Sequence, residues 1–252
     1  PMTNKVRKPF VMKQFTIAHH QVALPVTSDA CLFGAMIQLS VPMDHTQPYR
    51  LLDIGTGTGL LCFMLAQNHP QIHCTGIDIH PNSVDQATEN LKNNPFAERI
   101  RFEMANILHY TFHEGYHGIV CNPPFFENQL PSEDDIRRLA RHSNTLNLLN
   151  LIASCAKLLL PNGELFLLYP CDGLANTRST LEKNQFLIVK TTFIQANSTK
   201  KPHLVMIQAR YKAPSADYSN ESSSETVVHY TAEGKLTDTA THYLQEFYSQ
   251  LP

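Results

Sequence analysis

The chain has 252 residues, with 20 Lys and Arg, 22 Asp and Glu, 13 His and a formal net charge of −2. With 42% hydrophobic and 17% charged residues it has globular composition and length enough for a sizeable core, which excludes a disordered chain and a globally basic nucleic-acid binder. No apolar run approaches the roughly 18 residues of a membrane helix, and no apolar stretch follows the N-terminal charges as in a secretory signal. Six cysteines stand at 31, 62, 74, 121, 155 and 171 without a Cys-x-x-Cys pair, mostly inside apolar stretches. They read as free thiols of a cytoplasmic protein. No acid precedes Asp29, whereas Lys5, Arg7, Lys8 and Lys13 do.

From residue 50 the pattern alternates buried strands and helices. Strands are predicted at Leu51–Ile54, Ile72–Ile79, Ile100–Ala105, Gly118–Cys121 and Glu164–Tyr169. Helices are predicted at Leu60–Gln67, from Pro81 to about Asn94, at Leu146–Leu160 and at Asp172–Lys183. Pro161-Asn162-Gly163 is expected to stop the third of these. Phe186–Gln195 and Leu204–Tyr211 read as strands joined too tightly for a crossover helix, hence an antiparallel hairpin. Ser219–Glu225 reads as a mobile polar stretch, and a helix is predicted from about Asp238 to Ser249. The expected fold is α/β: a Rossmann-like, mostly parallel, seven-stranded sheet with helices on both faces and a C-terminal hairpin. Residues 1–48 are expected to form an extension on a single domain of residues 49–252.

Asp53-x-Gly55-x-Gly57-x-Gly59 sits between a strand and a helix, where glycines let a ligand approach the backbone and the helix N-terminus is electropositive. Asp78 lies 19 residues after Gly59, placed to accept ribose hydroxyls. The dinucleotide pattern G-x-G-x-x-G fails, because Leu60 or Cys62 stands where its last glycine belongs. S-adenosylmethionine suits the loop better, since Asp53 can face its sulfonium and amino groups. Asn122-Pro123-Pro124-Phe125 ends the fourth strand on the same edge. Its side-chain and backbone carbonyls are fixed acceptors for an exocyclic amine, and Phe125 offers a face for a flipped base. His109, His113 and His117 are spaced four apart, but Gly115 interrupts them, and no metal is expected.

The two motifs resemble those of class I S-adenosylmethionine-dependent methyltransferases of amino groups. Phe10–Phe15, Ala18-His19, Thr27–Ala30 with Leu32–Ala35, Ala140-Arg141-His142 and Lys201-Pro202-His203 resemble the bacterial tRNA1(Val) adenine N6-methyltransferase family. The resemblance implies methyl transfer to N6 of the adenosine at position 37 of tRNA(Val). It implies S-adenosylmethionine as cofactor, no metal, tRNA as partner and no membrane or obligate protein partner, hence a monomer. It implies cofactor contacts at Asp29, Asp53, Gly55, Gly57, Gly59, Asp78, Ile79, Asn106, Ile107 and Asn122, with catalysis at Asn122, Pro123, Pro124 and Phe125. Lys5, Arg7, Lys8, Lys13, Arg141, His142, Lys200, Lys201 and His203 are the candidate RNA contacts. The chain departs from the family at Asn106 (usually Asp), Phe125 (usually Tyr) and Pro25 (often Lys). Competing readings are an rRNA guanine N2-methyltransferase, a release-factor glutamine methyltransferase, and a cofactor- or RNA-binding module without turnover.

Overall fold

The computed structural model describes residues 8–20, 22, 25–41, 47–123, 147–213 and 222–249. Among the described residues, one main sheet has eight strands. In chain order they are β3 (Tyr49–Ile54), β4 (Ile72–Asp78), β5 (Ile100–Met104), β6 (Tyr116–Cys121), β7 (Leu159–Pro170), β8 (Phe186–Asn197), β9 (Leu204–Tyr211) and β10 (Ser223–Tyr230). Their spatial order is β10-β8-β9-β7-β6-β3-β4-β5. All pairings are parallel except those of β9, which runs against both β7 and β8. The parallel strands end at one common edge, and that carboxyl edge carries the site. A small hairpin, β1 (Phe10–Val11) with β2 (Thr16–Ile17), stands apart.

Central parallel strands are covered on both faces, so their sequences are mostly apolar, with polar residues towards the strand ends. Leu51 and Leu52 are both fully buried, yet they join different cores. Leu51 packs with α1 (Ser28–Met36), α2 (Leu60–Asn68) and α6 (Asp238–Leu244), while α3 (Pro81–Leu91) covers the margin of the same face. Leu52 packs with α4 (Leu148–Leu158) and α5 (Leu174–Lys183). The C-terminus closes onto the N-terminal hairpin: Lys13 N–H donates to Phe247 O (2.7 Å), and the Phe10 and Tyr248 rings meet edge to face.

Three features differ from the sequence reading. The sheet gains an eighth strand, β10, which begins in the Ser-rich stretch and pairs parallel with β8. It is the last strand of the sheet on that side, met beyond β8 only by a bridge from Tyr230 to Leu236 among the described residues, so polar residues fit there. Helix α1 shows no amphipathic periodicity, because Ala30, Cys31, Leu32, Phe33 and Gly34 are all buried. Helix α4 ends at Leu158, before Pro161-Asn162-Gly163. That tripeptide instead forms an excursion in β7, where pairing with β6 passes from Tyr116↔Leu159 to Gly118↔Glu164 and Asn162 has φ of 66°.

Glu164 fastens the opposite edge. Its carboxylate is buried and accepts from Ser40 N–H (2.8 Å), Ser40 Oγ (3.0 Å), Gln208 Nε2 (3.1 Å) and Tyr49 OH (3.4 Å). It therefore ties the segment after α1 to β3 and β9. Removing the carboxylate leaves buried Tyr49 OH with His117 O alone and strips a partner from half-buried Gln208 and from Ser40, so Glu164→Ala should cost about 2 kcal/mol, read as the urea midpoint, with Glu164→Gln much milder. An unchanged midpoint for the alanine variant would contradict this role.

Candidate active site

The loop after β3 has Gly55, Gly57 and Gly59 at φ of 73°, 56° and 84°, a left-handed region costly for any other residue. Gly55 N–H and Thr56 N–H both donate to Ile77 O, so the loop folds back over β4. The fold-back is tight: a Cβ on Gly76 would lie 2.5 Å from Thr56 Oγ1 and 2.6 Å from the Phe102 ring. A Cβ on Gly59 would lie 2.7 Å from Phe102. By contrast, a Cβ on Gly55 would meet nothing within 4 Å, and one on Gly57 only Gly55 O at 3.9 Å. The outer face of the loop is therefore an open cradle of bare backbone.

Two carboxylates shape that cradle. Asp53 is 1% exposed, and its Oδ2 accepts from Thr56 Oγ1 (2.7 Å) and from Cys62 Sγ (3.6 Å). It is turned into the loop, not towards open space, so its visible work is to hold the turn closed. Burial pushes its carboxyl up to about 7, against the hydrogen bonds from Thr56 and Cys62, and nearby Asp78 adds to the rise. Asp78 ends β4. Its Oδ2 accepts from Gly57 N–H (3.1 Å) and its Oδ1 from His80 N–H (2.9 Å), which fixes the side chain under the loop with lone pairs to spare. Ile79, next along, is 57% exposed and offers an apolar surface beside that acid.

The register assembles the rest of the edge. Ile54 pairs with Ile77 on one side and Cys121 on the other, so Asp78 and Asn122 flank Gly55. Asn122 and Pro123 are half-buried just past β6. Asn106 stands beyond β5, and its Oδ1 accepts from Leu108 N–H (3.0 Å), leaving a second lone pair for a ligand amine. The Ile107 side chain is buried in the core with Leu52, Ile54 and Ile77, so what it offers a cofactor is its backbone.

Other candidates have partners within the protein. Asp29, assigned by resemblance to the cofactor, contacts His203 Nε2 (3.2 Å) and His229 Nδ1 (3.5 Å). His203, assigned to RNA, is that ion-pair partner. His19 Nδ1 accepts from Val26 N–H (3.2 Å), which leaves its Nε2–H to donate to Lys8 O (2.9 Å), so His19 staples the N-terminal segment. Lys8, Lys13, Lys200 and Lys201 are exposed. Pro124, Phe125, Lys5, Arg7, Arg141 and His142 lie outside the described residues. Among the described residues no His, Cys, Asp and Glu group is arranged to hold a metal. His117 Nδ1 is occupied, accepting from Arg50 N–H (3.0 Å). No described helix is long and apolar enough to cross a membrane.

Thr56, Gly76 and Phe102 were not singled out from the sequence, although they close the loop. Thr56, inside the glycine motif and three residues after Asp53, carried the one readable signal.

A doubly wound sheet with a reversed β9 set between β7 and β8, and an open glycine cradle over an acid at the end of β4, defines a Rossmann-like methyltransferase of class I. A crystal structure described as a predicted O-methyltransferase from Agrobacterium tumefaciens matches 86% of this chain and 95% of its own at a TM-score of 0.63, with 13% identity, which speaks to the fold alone. The profile of the methyltransferase small domain matches residues 34–183. The tRNA1(Val) (adenine(37)-N6)-methyltransferase of Porphyromonas gingivalis strain W83 is 31% identical over 245 residues, 95% of this chain and 94% of that protein. The protein of the same name from Vibrio vulnificus strain YJ016 is 38% identical over 157 residues, and there the match spans only 63% of the relative's length. The chain belongs to the methyltransferase small domain family and, within it, to the tRNA1(Val) (adenine(37)-N6)-methyltransferases.

S-adenosylmethionine is the cofactor of this class, and the cradle fits it: bare glycine backbone, the Asp78 carboxylate and exposed Ile79 lie side by side. Asp78→Ala should weaken its binding about tenfold or more by calorimetry, since an acid and a loop anchor are lost together. Asp53 sets a pH dependence of stability. Its folded carboxyl titrates above the unfolded one, so its contribution is full below the ordinary Asp range and is lost as pH rises through about 7. Wild-type melting temperature should therefore fall between pH 5.5 and 8 more than that of Asp53→Asn, and parallel profiles would refute the assignment.

Proposed function

We propose that this chain transfers a methyl group from S-adenosylmethionine to N6 of adenosine 37 in tRNA1(Val). What supports the reading most is the register of β3 and β6, which sets Asn122 beside Gly55, together with the names of the relatives. When bound, S-adenosylmethionine would supply an electrophilic methyl group on its sulfonium, its C–S bond breaking as the C–N bond forms to leave S-adenosylhomocysteine, and the methylated amine would release one proton to solvent. The protein's task is to present the amine. The lone pair of an adenine N6 is conjugated with the ring and is a weak nucleophile. The Asn122 side-chain carbonyl and the backbone carbonyl of Pro123 accept its two hydrogens and hold the nitrogen towards tetrahedral geometry. Those acceptors also stabilise the positive charge that grows on the nitrogen as the new bond forms. Pro123 and Pro124 restrict the backbone so that the acceptors are set before the base arrives, and the Phe125 ring stacks on the flipped adenine.

The other proposed contacts follow from charge. Gly55, Gly57, Gly59, Asp78, Ile79 and Asn106 hold the cofactor. Exposed Lys8, Lys13, Lys200 and Lys201 meet tRNA phosphates, with Lys5, Arg7, Arg141 and His142 proposed on sequence grounds. We assign the activity to a monomer acting on tRNA in the cytoplasm.

Asn122→Ala should lower methyl transfer to total tRNA by about 100-fold or more, the scale seen when a preorganised charge-stabilising group is removed. Cofactor affinity should stay within a few-fold of wild type. Loss of cofactor binding, or retained transfer, would take Asn122 out of this role.

A further inference from the structure

The carboxyl edge carries a second group of titratable side chains beyond Asn122. Helix α1, N-capped by Thr27 Oγ1, presents Asp29 in its first turn. One carboxylate oxygen takes His203 Nε2 at 3.2 Å, from the turn between β8 and β9, and the other lies 3.5 Å from His229 Nδ1, near the end of β10. His229 is 1% exposed and stacks on Tyr230 at 4.1 Å. One carboxylate thus joins α1, the β8–β9 turn and β10. His203 is also clasped by its backbone: its N–H donates to Ile194 O and its carbonyl accepts from Cys171 N–H, both at 3.0 Å. The turn's exposed tip is Lys200-Lys201. Strands β6, β7 and β9 are neighbours, so at about 4.8 Å per strand this tip stands roughly 10–15 Å along the edge from Asn122.

We propose that Asp29 is a positioning residue for substrate RNA: through His203 and His229 it holds the β8–β9 turn so that Lys200 and Lys201 meet backbone phosphates flanking the base at Asn122. The proposal rests on the tRNA reading above. It gives the contact a proton dependence. Burial alone would raise the Asp29 carboxyl, but hydrogen bonds from His203 and His229 outweigh it and hold the group well below the usual carboxylate range. The hydrogen bond to Asp29 raises His203, against burial and the charge of Lys200. The pair is intact while Asp29 is ionised and His203 protonated. It is lost as pH rises through the raised His203 value. The remaining titratable neighbours are Cys31 on the same helix, which burial pushes up to about 12, and behind it Tyr248, raised likewise by burial, and Tyr230. Neither the Cys31 thiol nor the Tyr248 phenol changes charge between pH 6 and 8.5.

The test is the dissociation constant of total tRNA between pH 6 and 8.5 for wild type, Asp29→Asn, His203→Gln and the double variant Lys200→Ala/Lys201→Ala. Alongside it, NMR follows the His203 imidazole in the free protein. The proposal expects wild-type binding to weaken about two- to fivefold as pH rises, the range of one partly exposed ion pair. Asp29→Asn and His203→Gln should bind at the weak level throughout, and the double lysine variant should lose the same pH-dependent part. Asp29→Asn should also lower the imidazole titration. If Asp29→Asn keeps the full pH dependence with its midpoint merely shifted, His203 meets phosphate directly and the proposal falls. It falls also if the lysine variant keeps that dependence. If wild type binds no tRNA at any pH while the imidazole titration is raised as expected, it is the tRNA reading that has failed, and this inference fails with it.

Discussion

The fold-back of the glycine loop over β4 is the contact on which the rest of the site depends. It requires a bare Gly76 beneath Thr56 and Phe102, and positive φ at Gly55, Gly57 and Gly59. The Asp53–Thr56 hydrogen bond closes the turn from below, and the Gly57–Asp78 hydrogen bond closes it from the side. With the loop held in that shape, one face of its backbone stays open to a ligand while the other is packed as tightly as a core. A buried carboxylate with few donors is costly. Here both donors to that carboxylate, Thr56 and Cys62, belong to the turn and the helix that follows it.

Parallel register then does the positioning. Asn106, Asp78, Gly55 and Asn122 lie on four neighbouring strand ends, so no long side chain has to reach across the edge to assemble them. The same edge continues through β7 to the turn before β9, where Asp29 brings α1 to His203. The edge proposed to present the reacting amine is therefore continuous with the surface proposed to meet its phosphate flanks.

What could be read from the sequence was local. Buried strands followed by helices give a clear rhythm, and the glycine motif, Asp78 and Asn122 all fall at strand ends that this rhythm predicts. The hairpin of β8 and β9 was legible because its connection is too short for a helix. Helix α1 was not, because a helix buried on nearly every side has no amphipathic stripe. Strand β10 was not, because an edge strand tolerates the serines of Ser222–Glu225 that elsewhere mark a loop. Asp29, His203 and His19 were singled out, but their partners were hidden. Asp29 and His203 are 174 residues apart, and a resemblance names positions without saying what they touch. Ile107 shows the converse: adjacent to Asn106 in sequence, it turns into the core.

The most direct test of the central claim is mass spectrometry of nucleosides after incubating the protein with isotopically labelled S-adenosylmethionine and total tRNA from a strain lacking the activity. The account predicts labelled N6-methyladenosine in tRNA, formed at a rate about 100-fold lower or less with Asn122→Ala. Label appearing only in rRNA as N2-methylguanosine, or only in protein, would contradict the assigned substrate while keeping the methyltransferase, and no transfer to any acceptor would contradict the proposed chemistry itself.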